Sequence, residues 1–337
     1  MIKRTIEISR ERAHLTVRLD QLVLERDGQV VGSIPCEDIG VVMVDHQGTT
    51  YTHAALARLA QQDATVVVCG RDHLPAGILL PLADHSQVVW RIRDQIDVAK
   101  PVRKQLWRQI VQAKIRAQAC NLSPGPARTR LLNMVREVRS GDVENHEAQA
   151  ARLYWQAWSD EPAFRRASEI RQEAMDENDD DPDEPKPRRD TAPAFRRDRD
   201  GAPPNNLLNY GYAVLRAAVA RALVAAGLLP AIGLHHSNRS NAFCLADDLM
   251  EPLRPLVDHA VRQLVRAGRL ELDQPAKAEL LKVLTVEVQC GELSGPLLVS
   301  LHRLTAGLVR CYRGESQKLE IPRRKDDGGR MKDETEA

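Results

Sequence analysis

Residues 87–119 read QVVWRIRDQIDVAKPVRKQLWRQIVQAKIRAQA, and at this stretch the chain changes from one kind of structure to another. Apolar side chains fall at Val88, Ile92, Ile96, Leu106, Ile110 and Ile115, mostly in steps of three and four amid Arg, Gln, Lys and Ala. A helix completes a turn in about 3.6 residues, so such steps gather on one face. Pro101 lies in the middle and marks a break or a new first turn, where its missing N–H costs least.

Before this stretch the period is two. Ile6 and Ile8 alternate with polar residues, as do Leu15, Val17 and Leu19. Leu22, Val23 and Leu24 lead into Asp27-Gly28, a tight-turn dipeptide, and Val30 and Val31 follow. Short apolar runs at 41–44, 65–68 and 78–80 read as further strands, while THAALARL (52–59) has helical spacing. These features predict a small β-rich, sandwich-like domain over residues 1–85 with one inserted helix.

After it the spacing stays helical. Pro124-Gly125-Pro126 ends the block, and a shorter helix is expected over 128–139. Another begins after Asp142, a capping residue type, and runs over 146–158 with Ala148, Ala151, Trp155 and Trp158 as its apolar stripe. Helices are expected over 206–226, 245–267, 276–286 and 296–312, with Gly227, Pro230 and Gly233 in a loop. The class is therefore α+β, a β-rich N-terminal domain followed by a larger all-α domain over 86–322. Residues 172–204 are rich in Asp, Glu, Pro and Arg and read as a disordered insertion, and 323–337 as a flexible charged tail.

At 337 residues the chain is long enough for two modest cores, and its 43% hydrophobic content is that of a globular protein. No apolar run approaches the roughly 20 residues of a membrane helix, and the N-terminus lacks a signal-peptide core. Six scattered cysteines without a CxxC pair suit free thiols in a reducing cytoplasm better than disulfides or zinc. The net charge of +1 hides a separation: residues 173–184 hold eight acids and no base, which leaves +9 elsewhere. Residues 326–337 hold five acids and two bases, so the remainder carries +12. A basic body with acidic appendages suits a polyanionic partner, although dispersed surface charge gives the same totals.

Three polar clusters accompany the helices. Glu147 shares a helical line with Ala151, Tyr154 and Trp158, at the edge of an apolar face; it also fits a first-turn acid favoured by the helix dipole. Gly233-Leu234-His235-His236 places adjacent imidazoles after a loop, where they can reach a metal or simply face solvent. Asp247, Asp248 and Glu251 stand three and four apart, so their charges repel unless a cation or a base such as Arg254 compensates. One imidazole with several carboxylates is a donor set for magnesium or manganese rather than structural zinc.

In order along the chain, NHEAQAARLYW (145–155), NNLLNYGYAVLRAAVARALVAAGLLPAIGLHH (205–236) and NAFCLADDLMEPLRPLVD (241–258) resemble the three motifs of the CRISPR adaptation integrase, the "Cas one" family. The resemblance spans nearly the whole chain, and a β-rich start followed by helices is the family's plan. It implies metal ligands at Glu147, His236 and Glu251, with Asp248 beside them as a fourth ligand or an outer carboxylate. His236, three residues after Gly233, stands where the motif has its histidine, and Glu251 replaces an Asp of some relatives. The implied activity is a Mg²⁺- or Mn²⁺-dependent DNA endonuclease and integrase that inserts spacer DNA into a CRISPR array by transesterification at the repeat. The implied partners are double-stranded DNA, a second copy of the chain and the small "Cas two" protein. The acidic stretch before Pro203 departs from the compact family pattern. A standalone metal-dependent repair nuclease would use the same residues, and a non-catalytic DNA-binding module would need none of them.

Overall fold

The computed structural model describes residues 3–82, 85–160, 164, 197 and 203–325. Its first strands are β1 (Arg4–Ile8), β2 (His14–Arg18), β3 (Gln21–Arg26), β4 (Gln29–Pro35), β5 (Ile39–Val44) and β6 (Thr50–Tyr51). Helix α1 (His53–Gln61) precedes β7 (Thr65–Cys69) and β8 (Pro75–Leu79). Two four-stranded sheets result, in the orders β1-β5-β7-β8 and β4-β3-β2-β6. In the first, β1, β5 and β7 run parallel and β8 returns antiparallel. In the second, β2, β3 and β4 form an antiparallel meander.

Leu19 corrects one expectation. Instead of continuing the alternation of Leu15 and Val17, it is 97% exposed at φ +48°, and Asp20 follows at φ +60°. Two consecutive left-handed residues make the tight turn that matches the twist of a hairpin, and Asp27-Gly28 does the same between β3 and β4. Chain reversal outranks side-chain period at that residue.

The apolar run of β5 is buried along its whole length. Val42 and Val44 join Ile8, Leu15, Leu22, Leu59 and Val66 in one core, which the two sheets and α1 share. Val41 and Met43 point the other way, into the large core of the helices. A strand buried on both faces reads as a continuous apolar run, as this one does.

The helices are α2 (Val88–Asp97), α3 (Lys100–Asn121), α4 (Pro126–Glu137), α5 (His146–Ser159) and α6 (Asn205–Ala225). They continue with α7 (Cys244–Met250), α8 (Arg254–Arg266), α9 (Gln274–Leu281) and α10 (Leu297–Tyr312). Pro101 opens α3, as its missing N–H favours. Helices α3, α5, α6 and α8 pack around Trp107, Tyr154 and Trp158, all fully buried. Gly211 of α6 lets α8 approach closely: a Cβ there would lie 2.4 Å from Val257.

The C-terminal part is not all-helical. Strands β9 (Glu287–Cys290), β10 (Leu293–Pro296) and β11 (Arg323–Arg324) form a third, antiparallel sheet in the order β10-β9-β11. Strands this short carry almost no periodicity: only Val288 and Cys290 of β9 are buried, and β11 is two arginines joined by backbone pairing. The expected tail accordingly begins in a strand, and its residues 326–337 lie outside the described ones. The expected insertion at 172–204 lies outside them too, except for Arg197, Pro203 and Pro204. Among the described residues no helix is long and apolar enough to cross a membrane, and all six cysteines are free thiols.

Candidate active site

Glu147 stands in the first turn of α5, where two neighbours satisfy the unpaired N–H groups. Asp142 reaches forward, its Oδ1 accepting from His146 N and its Oδ2 from Glu147 N, each at 2.9 Å. Asn145, left-handed at φ +56°, accepts from Ala148 N at 3.4 Å. The buried line of α5 is His146, Ala150, Tyr154 and Trp158, in steps of four. Of the expected stripe, Trp158 is fully buried, whereas Ala148, Ala151 and Trp155 are only half-buried. Glu147 lies beside the buried line with 22% of its side chain exposed, open enough to meet a ligand.

Asp248 organises the histidine loop. It is fully buried; Oδ2 accepts from Leu234 N at 2.7 Å and His235 N at 2.9 Å, and Oδ1 accepts from His236 N at 3.3 Å. The same Oδ1 lies 2.5 Å from His236 Nδ1. Gly233 makes this wrap feasible, since a Cβ there would lie 2.3 Å from His236 O and 2.9 Å from Asp248 Oδ2. With Nδ1 committed to a carboxylate, Nε2 is the nitrogen left for a ligand, as in carboxylate–histidine–metal arrangements. The hydrogen bond to Asp248 raises the His236 pKa above its ordinary value, against the lowering effect of burial. His235 goes elsewhere: its ring stacks on Trp107 at 4.2 Å with an interplanar angle of 1°.

Glu251 follows α7 in a short 3-10 turn, Glu251–Leu253, set by Pro252. The helix expected over 245–267 is thus two helices with a tight turn between them. Arg254 Nε lies 3.0 Å from Glu251 Oε1, the compensation its spacing suggested. Burial alone would raise the pKa of Glu251, but Arg254 and Lys114 outweigh it and hold the carboxyl at about 2. Asp247 turns away, pairing with Arg216 Nε at 2.7 Å and accepting from Asn241 Nδ2 at 2.7 Å.

Lys114 is the residue that sequence reasoning missed. From α3 its Nζ reaches Glu147 Oε1 and Glu251 Oε2, each at 2.6 Å, and so ties the first and third motifs together. Burial would lower its pKa, but Glu251 and Glu147 raise it, so it is held as an ammonium. A signal was present: Lys114 stands four residues after Ile110, which itself stands four after Leu106, a step reserved for apolar side chains. With Gln118 and Asn121 it forms a buried polar line on α3.

The donor set suits a divalent cation. Glu147 and Glu251 already face one cation from opposite elements, and His236 is braced through Nδ1, which leaves Nε2 as its ligand nitrogen. Glu147, Glu251 and Asp248 all act electrostatically on His236, so the sequence candidates share one neighbourhood. Among the described residues no three such side chains are close enough to hold an ion as they stand. The ammonium of Lys114 occupies the space between the two carboxylates.

Comparison with known proteins bears on the chain as a whole. The family model "CRISPR associated protein Cas1" matches residues 6–171 and 189–286. The CRISPR-associated endonuclease Cas1 of Neisseria meningitidis serogroup C (strain 8013) is 37% identical over 314 residues, covering 91% of this chain and 92% of that protein. A Cas1 of Pyrobaculum aerophilum is 26% identical over 327 residues, covering 89% and 96%. Among solved structures, a casposase bound to its integration product superposes with TM-score 0.71 at 17% identity, covering 95% of this chain and 93% of that one. A CAS1 protein from Thermotoga maritima gives TM-score 0.64 at 18% identity, covering 92% and 97%. Those two likenesses speak for the fold; the family model and the Neisseria relative carry the descent, and the chain belongs to the CRISPR-associated Cas1 family.

Proposed function

We propose that this protein is a DNA endonuclease and integrase of CRISPR adaptation, which joins the 3′-hydroxyl of a DNA fragment to a phosphodiester at the repeat of an array. The observation that carries the reading is the meeting of Glu147 and Glu251 on one cation in a chain of this family. Glu147, His236 and Glu251 would hold Mg²⁺ or Mn²⁺, which supplies Lewis-acid polarisation of the scissile phosphate. Asp248 would serve as an outer carboxylate that orients His236, since both its oxygens are engaged. One phosphodiester bond forms as another breaks and the displaced 3′-oxygen leaves, so no covalent protein–DNA intermediate is needed. Water in place of the hydroxyl gives hydrolysis at the same site.

The partners follow the same reading: duplex DNA for the basic body, a second copy of this chain, and the small Cas2 protein. A Cas6-RT-Cas1–Cas2 complex is among the structures that share this fold, which supports the last of these. We assign residues 1–85, whose two sheets share a core, to a sandwich-like dimerisation domain and 86–322 to the catalytic one. Glu147→Ala tests the site, because it removes an exposed-edge ligand rather than a core side chain. Strand transfer should fall at least a hundredfold, with DNA affinity and melting temperature close to wild type. Integration near the wild-type rate would overturn the assignment and favour an architectural DNA-binding module. Cutting without preference for the repeat would favour a standalone nuclease.

A further inference from the structure

Lys114 Nζ touches one oxygen, Glu147 Oε1 and Glu251 Oε2 respectively, of each of the two carboxylates that the metal-site reading assigns to a divalent ion. An ion such as Mg²⁺ needs carboxylate oxygens at about 2.0–2.1 Å in near-octahedral order. An ammonium bonded to those oxygens occupies lone pairs the ion requires. Charge makes the same point: Glu147, Glu251 and Asp248 already share one cluster with Lys114 and Arg254, so a divalent ion added beside both cations turns a net negative carboxylate–cation cluster into a net positive one. In a buried site little water screens that repulsion.

One of the two cations must therefore yield, and their anchoring differs. The Arg254 guanidinium lies over the Tyr212 ring at 4.9 Å while its Nε pairs with Glu251 Oε1. Arg254 is the more exposed of the two, with 28% of its side chain exposed against 10%, but Lys114 has a flexible four-carbon stem and is held in the cluster by the very carboxylates an ion would take. We propose that Lys114 is a resident counter-cation, holding Glu147 and Glu251 together in the metal-free protein, and that a divalent ion enters by displacing its ammonium. This rests on the metal-site reading above. The ion and the lysine thus compete for one pair of carboxylates, and the lysine preserves the site's geometry until the ion arrives.

Two measurements test it without reference to activity. Manganese binding to metal-free wild type and Lys114→Met is followed by electron paramagnetic resonance of the free ion, with melting temperatures alongside. Lys114→Met should bind manganese at least fivefold more tightly, melt lower without metal and gain more on loading. A folded variant with equal or weaker binding would overturn the proposal. Because that variant leaves two carboxylates facing each other and can fail to fold without metal, the second measurement uses the wild type. Acetic anhydride labelling of Lys114, read by mass spectrometry against Lys277 as a buried control, should rise several-fold when manganese saturates the protein. Manganese binding that depends on Glu147 while Lys114 stays protected would sink displacement alone. Manganese binding indifferent to Glu147→Ala would sink the metal-site reading and this inference with it.

Discussion

His235 and His236 are neighbours in the chain and opposites in environment. One ring lies flat on Trp107, and the other stands edge-on to it with Nδ1 on Asp248. His236→Ala should lose both manganese binding and strand transfer, while His235→Ala loses a stacking partner and keeps a substantial part of each. Titrating manganese into both variants, with integration assayed in parallel, decides between them; the reverse pattern would move the site by one residue. Asp258 gives a prediction of another kind. It is buried and accepts from the Tyr154 hydroxyl at 3.0 Å and from that of Tyr212. Burial pushes its pKa up to about 6, against the lowering effect of the tyrosines and of Arg254 and Arg197. A carboxyl raised in the folded state contributes stability below its ordinary value of 3.8 and loses it as pH rises through about 6. Relative to Asp258→Asn, wild type should therefore lose stability on the order of 2 kcal/mol between pH 4 and pH 7. Parallel melting curves across that range would contradict the shift.

Site geometry is set by element ends rather than element middles. Glu147 opens α5, Glu251 sits in the turn between α7 and α8, and His236 lies in a loop drawn in by a carboxylate of α7. Lys114 and Asp248 are the members that come from within helices. Ends carry unpaired N–H groups, so acids collect there for structural reasons before any functional ones. Asp142 shows the dependence: it accepts from the backbone of Glu147 itself. Asp142→Ala should cost about 1–2 kcal/mol through two orphaned donors, and should weaken manganese binding by loosening Glu147. Calorimetric melting together with a binding titration checks both; lost stability with unchanged affinity would show that the first turn keeps its place without the cap.

Over the whole molecule, β5 is the member that two cores share, with Val42 and Val44 facing one and Val41 and Met43 the other. A buried ion pair adds to that seam: Lys277 of α9 meets Asp45, the residue after β5, and His73 Nδ1 lies 3.0 Å from the same carboxylate. Breaking a buried pair from one side leaves an uncompensated charge. Lys277→Met should destabilise the protein by about 3–5 kcal/mol, and joint replacement of Asp45 and Lys277 by Asn and Met should recover part of it. Urea unfolding of the three proteins measures this; a single variant as stable as wild type would mean the pair does not brace the seam.

Chain order and local pattern alone were enough to place the strands of residues 4–79 other than the two-residue β6, the switch to helices at 88, the proline that opens α3 and the order of the three motifs, because each depends on residues near one another in sequence. Leu19 departs from its strand pattern because turn backbone and side-chain period compete at one position, and β9 to β11 escape detection because strands of two to four residues carry too few side chains to show a period. Spacing alone marked three polar clusters; it was the resemblance of their motifs to a family that implied Glu147, His236 and Glu251, and neither gave the roles of their neighbours. Lys114 and Glu147 are 33 residues apart on different helices, and no local pattern says that packing α3 against α5 and the Glu251 turn brings an ammonium between two carboxylates. Likewise Asp247 and Asp248 are adjacent acids of the same kind. Only the tertiary structure sends one to Arg216 and the other beneath the histidine loop, because a helix turns successive side chains about 100° apart and so toward different neighbours.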